Sequence, residues 1–154
     1  MKRQNFKLIK GGAEEPKITS LENRRFVSAF VTDTRLMGVV ALSFHWKIFS
    51  SEVWEDFYQF FYFDAEEYGL DTYQSLQGND IFALTAVEQK LIGGLGGRKV
   101  PVTQKEALYL LQHFASESRK LKVPLPEPVK EYKTLLEEPV TLSPKERQAI
   151  IEKI

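Results

Sequence analysis

The chain has 154 residues, 43% hydrophobic and 27% charged, with 21 Lys plus Arg balanced by 21 Asp plus Glu and no cysteine. Such a chain is long enough to bury a core of its own, which excludes a disordered polypeptide, a collagen-like repeat and a disulfide scaffold. The missing cysteine removes thiol chemistry and cysteine-ligated metal centres, and the zero net charge argues against a dedicated nucleic-acid partner.

The first ten residues are basic (Lys2, Arg3, Lys7, Lys10) without an apolar run of signal-peptide length. Nowhere does an apolar run approach the roughly 20 residues of a membrane span. The expectation is a cytoplasmic protein with no membrane association. Asn5 to Lys10 reads as an edge strand, broken by Gly11-Gly12. Phe26 to Asp33 alternates and is rich in aromatic and β-branched residues, which predicts a strand. Asp33-Thr34-Arg35-Leu36 is a turn, Met37 to Ile48 a second strand, Ser50-Ser51-Glu52 a loop, Phe57 to Asp64 a third strand and Thr72 to Leu76 a further edge strand. Connections this short predict an antiparallel meander.

The period then changes from two to that of a helix. Asp80 is placed to cap a helix through Ile92, ended by Gly93-Gly94. Thr103 and Glu106 have the spacing of a capping box, in which hydroxyl and carboxylate each take a free backbone N–H, and the helix runs to about Lys120. Pro124, Pro126 and Pro128 make an extended connector. A short helix is expected over Val129 to Glu138. Ser143-Pro144-Lys145-Glu146 opens a last helix to Ile154, with serine as cap and proline at the first helical position. The fold class is therefore α+β: an antiparallel β-meander of three to five strands with helices packed on one face and a C-terminal helical arm. The division is 1–122 for the α+β domain and 123–154 for the Pro-rich connector and arm.

Alternation assigns the faces of the sheet. Val27, Ala29 and Val31 share one face with Gly38, Val40, Leu42, Phe44 and Trp46, and then with Phe57, Gln59, Phe61 and Phe63. Nearly all are apolar, so this is the core face, expected to lie beneath the helices at 80–92 and 103–120. The opposite face carries Phe26, Ser28, Phe30, Ser43, His45, Lys47, Tyr58, Phe60 and Tyr62. Closing Ile48 against Phe57 puts His45 near Phe60, flanked by the two tyrosines. Aromatic bodies with hydrogen-bonding tips suit ligand binding, and an imidazole titrates near neutrality. The plainer alternative is a second face covered by the C-terminal arm or by a partner subunit.

Gly93-Gly94-Leu95-Gly96-Gly97-Arg98-Lys99 holds four of the nine glycines, followed by two cations that suit an anion. It fits neither a Walker A loop, which needs Gly-Lys-Ser/Thr, nor the dinucleotide fingerprint, so a helix stop is the plainer reading. Two histidines, His45 and His113, cannot make a multi-histidine metal centre, and nothing calls for a cofactor. The acidic run Asp64-Ala65-Glu66-Glu67 lacks the spacing of a calcium loop. The candidate ligand-binding residues are thus Ser43, His45, Tyr58 and Tyr62, with Arg98 and Lys99 as anion-holding groups; no catalytic residue or metal ligand is assigned. The expected function is that of a binding or interaction module. Its partner would be a protein, including a second copy, or a small molecule. The alternative is a small enzyme that uses a His/Tyr pair on an anionic substrate.

Overall fold

In a computed structural model, residues 23–34, 37–66, 69–93 and 97–153 are described. The strand expected over Asn5 to Lys10, most of the residues of the glycine loop and Ile154 fall outside them. Five strands form one antiparallel sheet in the order β4-β3-β2-β1-β5. They are β1 (Arg24–Thr32), β2 (Val39–Ser50), β3 (Val53–Asp64), β4 (Gly69–Gln77) and β5 (Lys99–Val102). The helices are α1 (Ile81–Leu91), α2 (Gln104–Lys120), α3 (Lys133–Glu137) and α4 (Pro144–Lys153).

The helix starts follow local chemistry. Asp80 accepts from the backbone N–H groups of Phe82 and Ala83, and Thr103 and Glu106 form a reciprocal capping box. Ser143 and Glu146 do the same at α4, with the serine N–H donating to Glu146 Oε1 at 2.8 Å and the glutamate N–H to Ser143 Oγ at 3.1 Å. Each cap contributes about 1 kcal/mol by satisfying otherwise orphaned donors.

The β2–β3 hairpin is tighter than the sequence suggests. Ser50 pairs with Val53 across a two-residue turn, Ser51-Glu52, with φ of 52° and 67°. Two successive positive φ values are the mark of the turn that matches the twist of paired strands. β3 therefore begins four residues before Phe57, and His45 lies opposite Tyr58, not Phe60. The shift is two residues, so every side chain keeps its expected face. In β1 an irregularity between Phe26 and Ser28 changes the parity. Phe26 moves to the core face, edge-on to Trp46 with centroids 5.6 Å apart, and Val27, expected inside, is 44% exposed.

The apolar face is sealed by α2, α3 and α4. Phe44, Trp46, Phe57, Phe61 and Phe63 share one buried cluster with Leu111 and Phe114 of α2, Leu135 of α3 and Ile150 of α4. Phe63 stacks on Phe114 at 4.2 Å, and Phe61 meets Tyr132 edge-on at 5.1 Å. Each such side chain contributes on the order of 1.5–3 kcal/mol by leaving water. Segment 123–153 thus docks on its own chain. Gln59, the one polar side chain of this face in the sequence, is fully buried and satisfied: it accepts from Trp46 Nε1 at 2.8 Å and donates to Tyr73 Oη and the Glu131 carbonyl, each at 3.1 Å. Tyr73 in turn donates to Glu131 Oε1 at 2.8 Å. Gly69 (φ +63°) brings β4 against α2, where a Cβ would sit 2.9 Å from the Ser118 Cα; the neighbouring Leu70 N–H donates to Ser118 Oγ at 2.6 Å.

α1 corrects the sequence reading: it crosses the second face, not the core face. Glu88 of α1 bonds Lys99 at 2.9 Å, and that ammonium lies 4.7 Å from the ring of Phe30 on the second face. Beneath α1, Ala41, Ser43 and Phe60 are buried, although none belongs to the main core cluster. Topology accounts for this. β4 and β5 lie at opposite edges and run in the same direction, so the chain must cross the sheet between them, and α2 already occupies the other face. β5 itself was not expected. It is a four-residue edge strand that tolerates Pro101 because an edge strand has one side without ladder bonds.

Candidate functional site

The second face has a roofed part and an open part. In the roofed part Phe30, Ser43 and Phe60 lie side by side in register. Toward the β2–β3 turn three cross-strand pairs follow one another on the same face: His45 with Tyr58, Lys47 with Asp56, and Phe49 with Trp54. Period-two alternation along both strands makes this ladder, since every second residue of each strand faces the same way.

Each rung is a different interaction. The imidazole of His45 stacks on the Tyr58 ring with centroids 4.3 Å apart and an 18° interplanar angle. His45 Nε2 lies 2.8 Å from Asp56 Oδ1, and Lys47 Nζ 3.0 Å from the same oxygen. Phe49 and Trp54 are tilted at 5.2 Å, and the Arg25 guanidinium sits 4.3 Å from the Trp54 ring centroid. Partial burial pushes the Asp56 carboxyl up, but hydrogen bonds from His45 and Lys47 and their charges outweigh it and leave the group more acidic than usual. The Tyr58 phenol is raised by burial and then by the charges of Asp56 and Glu88. Tyr62 is raised in the same way by burial, Asp64 and Asp71. Both hydroxyls therefore stay protonated at neutral pH and can donate hydrogen bonds.

The sequence-predicted residues divide between the two parts. His45 and Tyr58 are in direct contact in the open ladder. Ser43 is one row along, buried at 4% exposure, opposite Phe30 and Phe60. Tyr62 is four residues from Tyr58 on β3, about 13 Å at strand rise, and pairs with Ala41 and Thr72. Lys99 reaches the roofed part, where Glu88 and Phe30 engage it. Arg98 is elsewhere: its backbone N–H and Nε donate to the Asp33 carboxylate at 2.7 and 2.9 Å, closing the β1–β5 edge. The Arg98 side chain is 86% exposed and meets the Asp33 carboxylate through Nε. Gly97 packs where a Cβ would overlap the Thr34 methyl and the Asp33 carboxylate, so its lack of a side chain serves a close approach.

Sequence reasoning placed Lys47 on this face without making it a candidate ligand-binding residue, and did not single out Asp56, Trp54 or Arg25. Asp56 was legible in principle: once the hairpin turn is set at Ser51-Glu52, strand parity brings it to His45. Among the described residues, no group of three or more His, Asp or Glu is placed to hold a metal ion, and no helix is long and apolar enough to cross a membrane. What the ladder offers chemically is a stacked imidazole and phenol, an ammonium, a shared carboxylate and an aromatic pair. Compared with protein families, curated proteins and solved structures, the chain matches none significantly.

Proposed function

We propose that the protein is a binding or interaction module whose contact surface is the open ladder from His45 and Tyr58 to Phe49 and Trp54. One observation carries this reading. The same face is buried beneath α1 at Phe60, Ser43 and Ala41, yet the rows next to it leave an imidazole, a phenol and an indole partly exposed. Polar-tipped aromatics held rigidly on paired strands present large contact area at little entropic cost. The chain's own helices already fill the core face, and Gln59 there is bonded internally.

A second reading is favoured by the His45–Asp56 pair, since a carboxylate that fixes an imidazole is two-thirds of a catalytic triad. In that reading His45 moves a proton, protonated Tyr58 acts as the acid, and the substrate is a small anion held by the cations nearby. Nuclear magnetic resonance shift mapping against a fragment library and a random peptide library distinguishes the readings. A binding module gives hits that perturb the amides of His45, Tyr58 and Trp54 and are lost in His45→Ala, while Asp56→Asn weakens them only modestly. Hits confined to other surfaces overturn the proposal. An enzyme loses turnover in both variants but retains substrate affinity in Asp56→Asn.

A further inference from the structure

We infer that the protein self-associates through one edge of its sheet, β4 of one copy pairing antiparallel with β4 of a second about a two-fold axis at Ser75. This surface is distinct from the ladder and does not depend on it. Gly78, just past β4, donates its N–H to the Asp56 carbonyl at 2.8 Å. Bonding alternates along an antiparallel pair, so Thr72, Gln74 and Leu76, opposite Tyr62, Phe60 and Tyr58, bond to β3. The N–H and C=O groups of Tyr73, Ser75 and Gln77 therefore point away from β3. Among the described residues no strand lies beyond β4, and no backbone hydrogen bond reaches these three residues from outside the sheet. α2 meets only the beginning of the strand, where the Leu70 N–H is taken by Ser118 Oγ.

The two edges of the sheet are built differently. Folded proteins blunt an edge that must stay single with short strands, proline and lysine. β5 has all three, being four residues long with Pro101 and Lys99. β4 has nine residues with neither proline nor lysine, and its one charge, Asp71, stands near the start. From Thr72 to Gln77 the strand is uncharged, which suits a copy of itself. Pairing about Ser75 sets Tyr73 opposite the partner's Gln77 and Gln74 opposite the partner's Leu76, and no like charges face each other. Only an axis at Ser75 pairs Tyr73, Ser75 and Gln77 among themselves, for about six backbone hydrogen bonds. Stable interfaces bury roughly 1,200–2,000 Å², more than one pair of short strands covers, so apolar neighbours must add to it. α1 begins four residues past Gln77, with Ile81 70% and Phe82 89% exposed. Because Gln77 faces the partner's Tyr73 in this pairing, the chain that leads from each β4 into α1 runs past the start of the partner's β4, within reach of that exposed turn.

Analytical ultracentrifugation of the full chain should give a mass that rises with concentration from 17.8 kDa toward twice that value. Ser75→Lys sets two ammonium groups against each other on the axis, and its mass should stay at 17.8 kDa. The chain has no cysteine, so single-cysteine variants read the register directly. Residues paired on the axis have Cα atoms about 5.5 Å apart, within disulfide reach, and mild oxidation of Ser75→Cys should yield a disulfide-linked dimer. Gln77→Cys should not, because its copy lies four residues along, about 13 Å away. In the unmodified chain, hydrogen exchange of the Tyr73, Ser75 and Gln77 amides should slow as concentration rises, while that of Thr72, Gln74 and Leu76 stays the same. The exchange and cysteine measurements decide the matter even if Ser75→Lys fails to fold. A chain that is monomeric at every concentration overturns the inference, as does equal cross-linking of the two cysteine variants or a dimer that survives in folded Ser75→Lys. Protection of the three outward amides that is independent of concentration overturns it in favour of an edge covered within the chain. Dimerisation that perturbs His45, Tyr58 and Trp54 and leaves β4 unchanged overturns it in favour of the ladder.

Discussion

On the α2 side of the sheet, Phe44, Phe61 and Phe63 are sealed beneath three helices and a buried amide network; on the α1 side, Phe60 is equally buried while His45, Tyr58 and Trp54, a few residues away, are not. The same strands build both faces, so the difference comes from what is laid on them. Three helices with a capped start or a docked apolar stripe cover one face completely. A single helix, whose one buried residue is Val87, covers part of the other. Stability is concentrated on the first face, and partly exposed polar and aromatic side chains are left on the second.

The largest test of that contrast uses neighbours on opposite faces. Phe61→Ala should cost about 3–5 kcal/mol, the usual range for a buried phenylalanine in a core that relaxes little. Phe60→Ala should cost distinctly less, because α1 alone covers it and can settle toward the gap. Urea unfolding of the two variants measures both, and equal losses would mean that the faces are equally constrained.

Next is the amide network. Gln59→Leu removes the acceptor of Trp46 Nε1 and a donor to the Glu131 carbonyl, and should cost about 1–3 kcal/mol as those buried groups lose partners. Hydrogen exchange should then rise around residues 129–137 and leave α1 unchanged. Gly69→Ala should cost about 1 kcal/mol or more, since alanine resists positive φ and its Cβ meets Ser118. Exchange of the Leu70 amide, which donates to Ser118, reads that directly.

A smaller effect is expected on the open face. Asp56 is more acidic in the folded protein than in the unfolded chain. Its contribution is therefore complete above the ordinary carboxylate range and is lost as pH falls through its lowered value. Asp56→Asn should melt lower than the parent at neutral pH, and the gap should close on acidification; a gap that is constant with pH would contradict this. Smallest of all is Arg98→Ala, an exposed ion pair on the β1–β5 edge, which should leave the melting temperature within error because solvent screens such pairs.

Much of this architecture was legible, and the pattern of what was not is instructive. Asp80, Thr103 and Ser143 were recognisable as caps because a cap bonds to N–H groups two or three residues away. The core face was recognisable because alternation survives a two-residue shift of register. The β2–β3 turn was not, since Ser51-Glu52 lacks the Asn-Gly or Asp-Gly that usually announces two positive φ values. Without that turn, His45 could not be matched with Asp56. The outward placement of Val27 depended on a bulge that no residue type signals, and β5 was too short, and carried a proline, to be read as a strand.

The sequence by itself determined the element types apart from β5, the apolar face of β2 and β3 and the presence of His45 and Tyr58 on the other. These follow from periodicity and from hydrogen bonds that close within a turn. Only the tertiary structure decided that α1 lies across the second face, that Arg98 pairs with Asp33, and that Gly78, just before α1, is bonded to the Asp56 carbonyl. Each of these depends on pairing between residues far apart in the chain, where the choice is made by which surfaces are already occupied and not by any local preference.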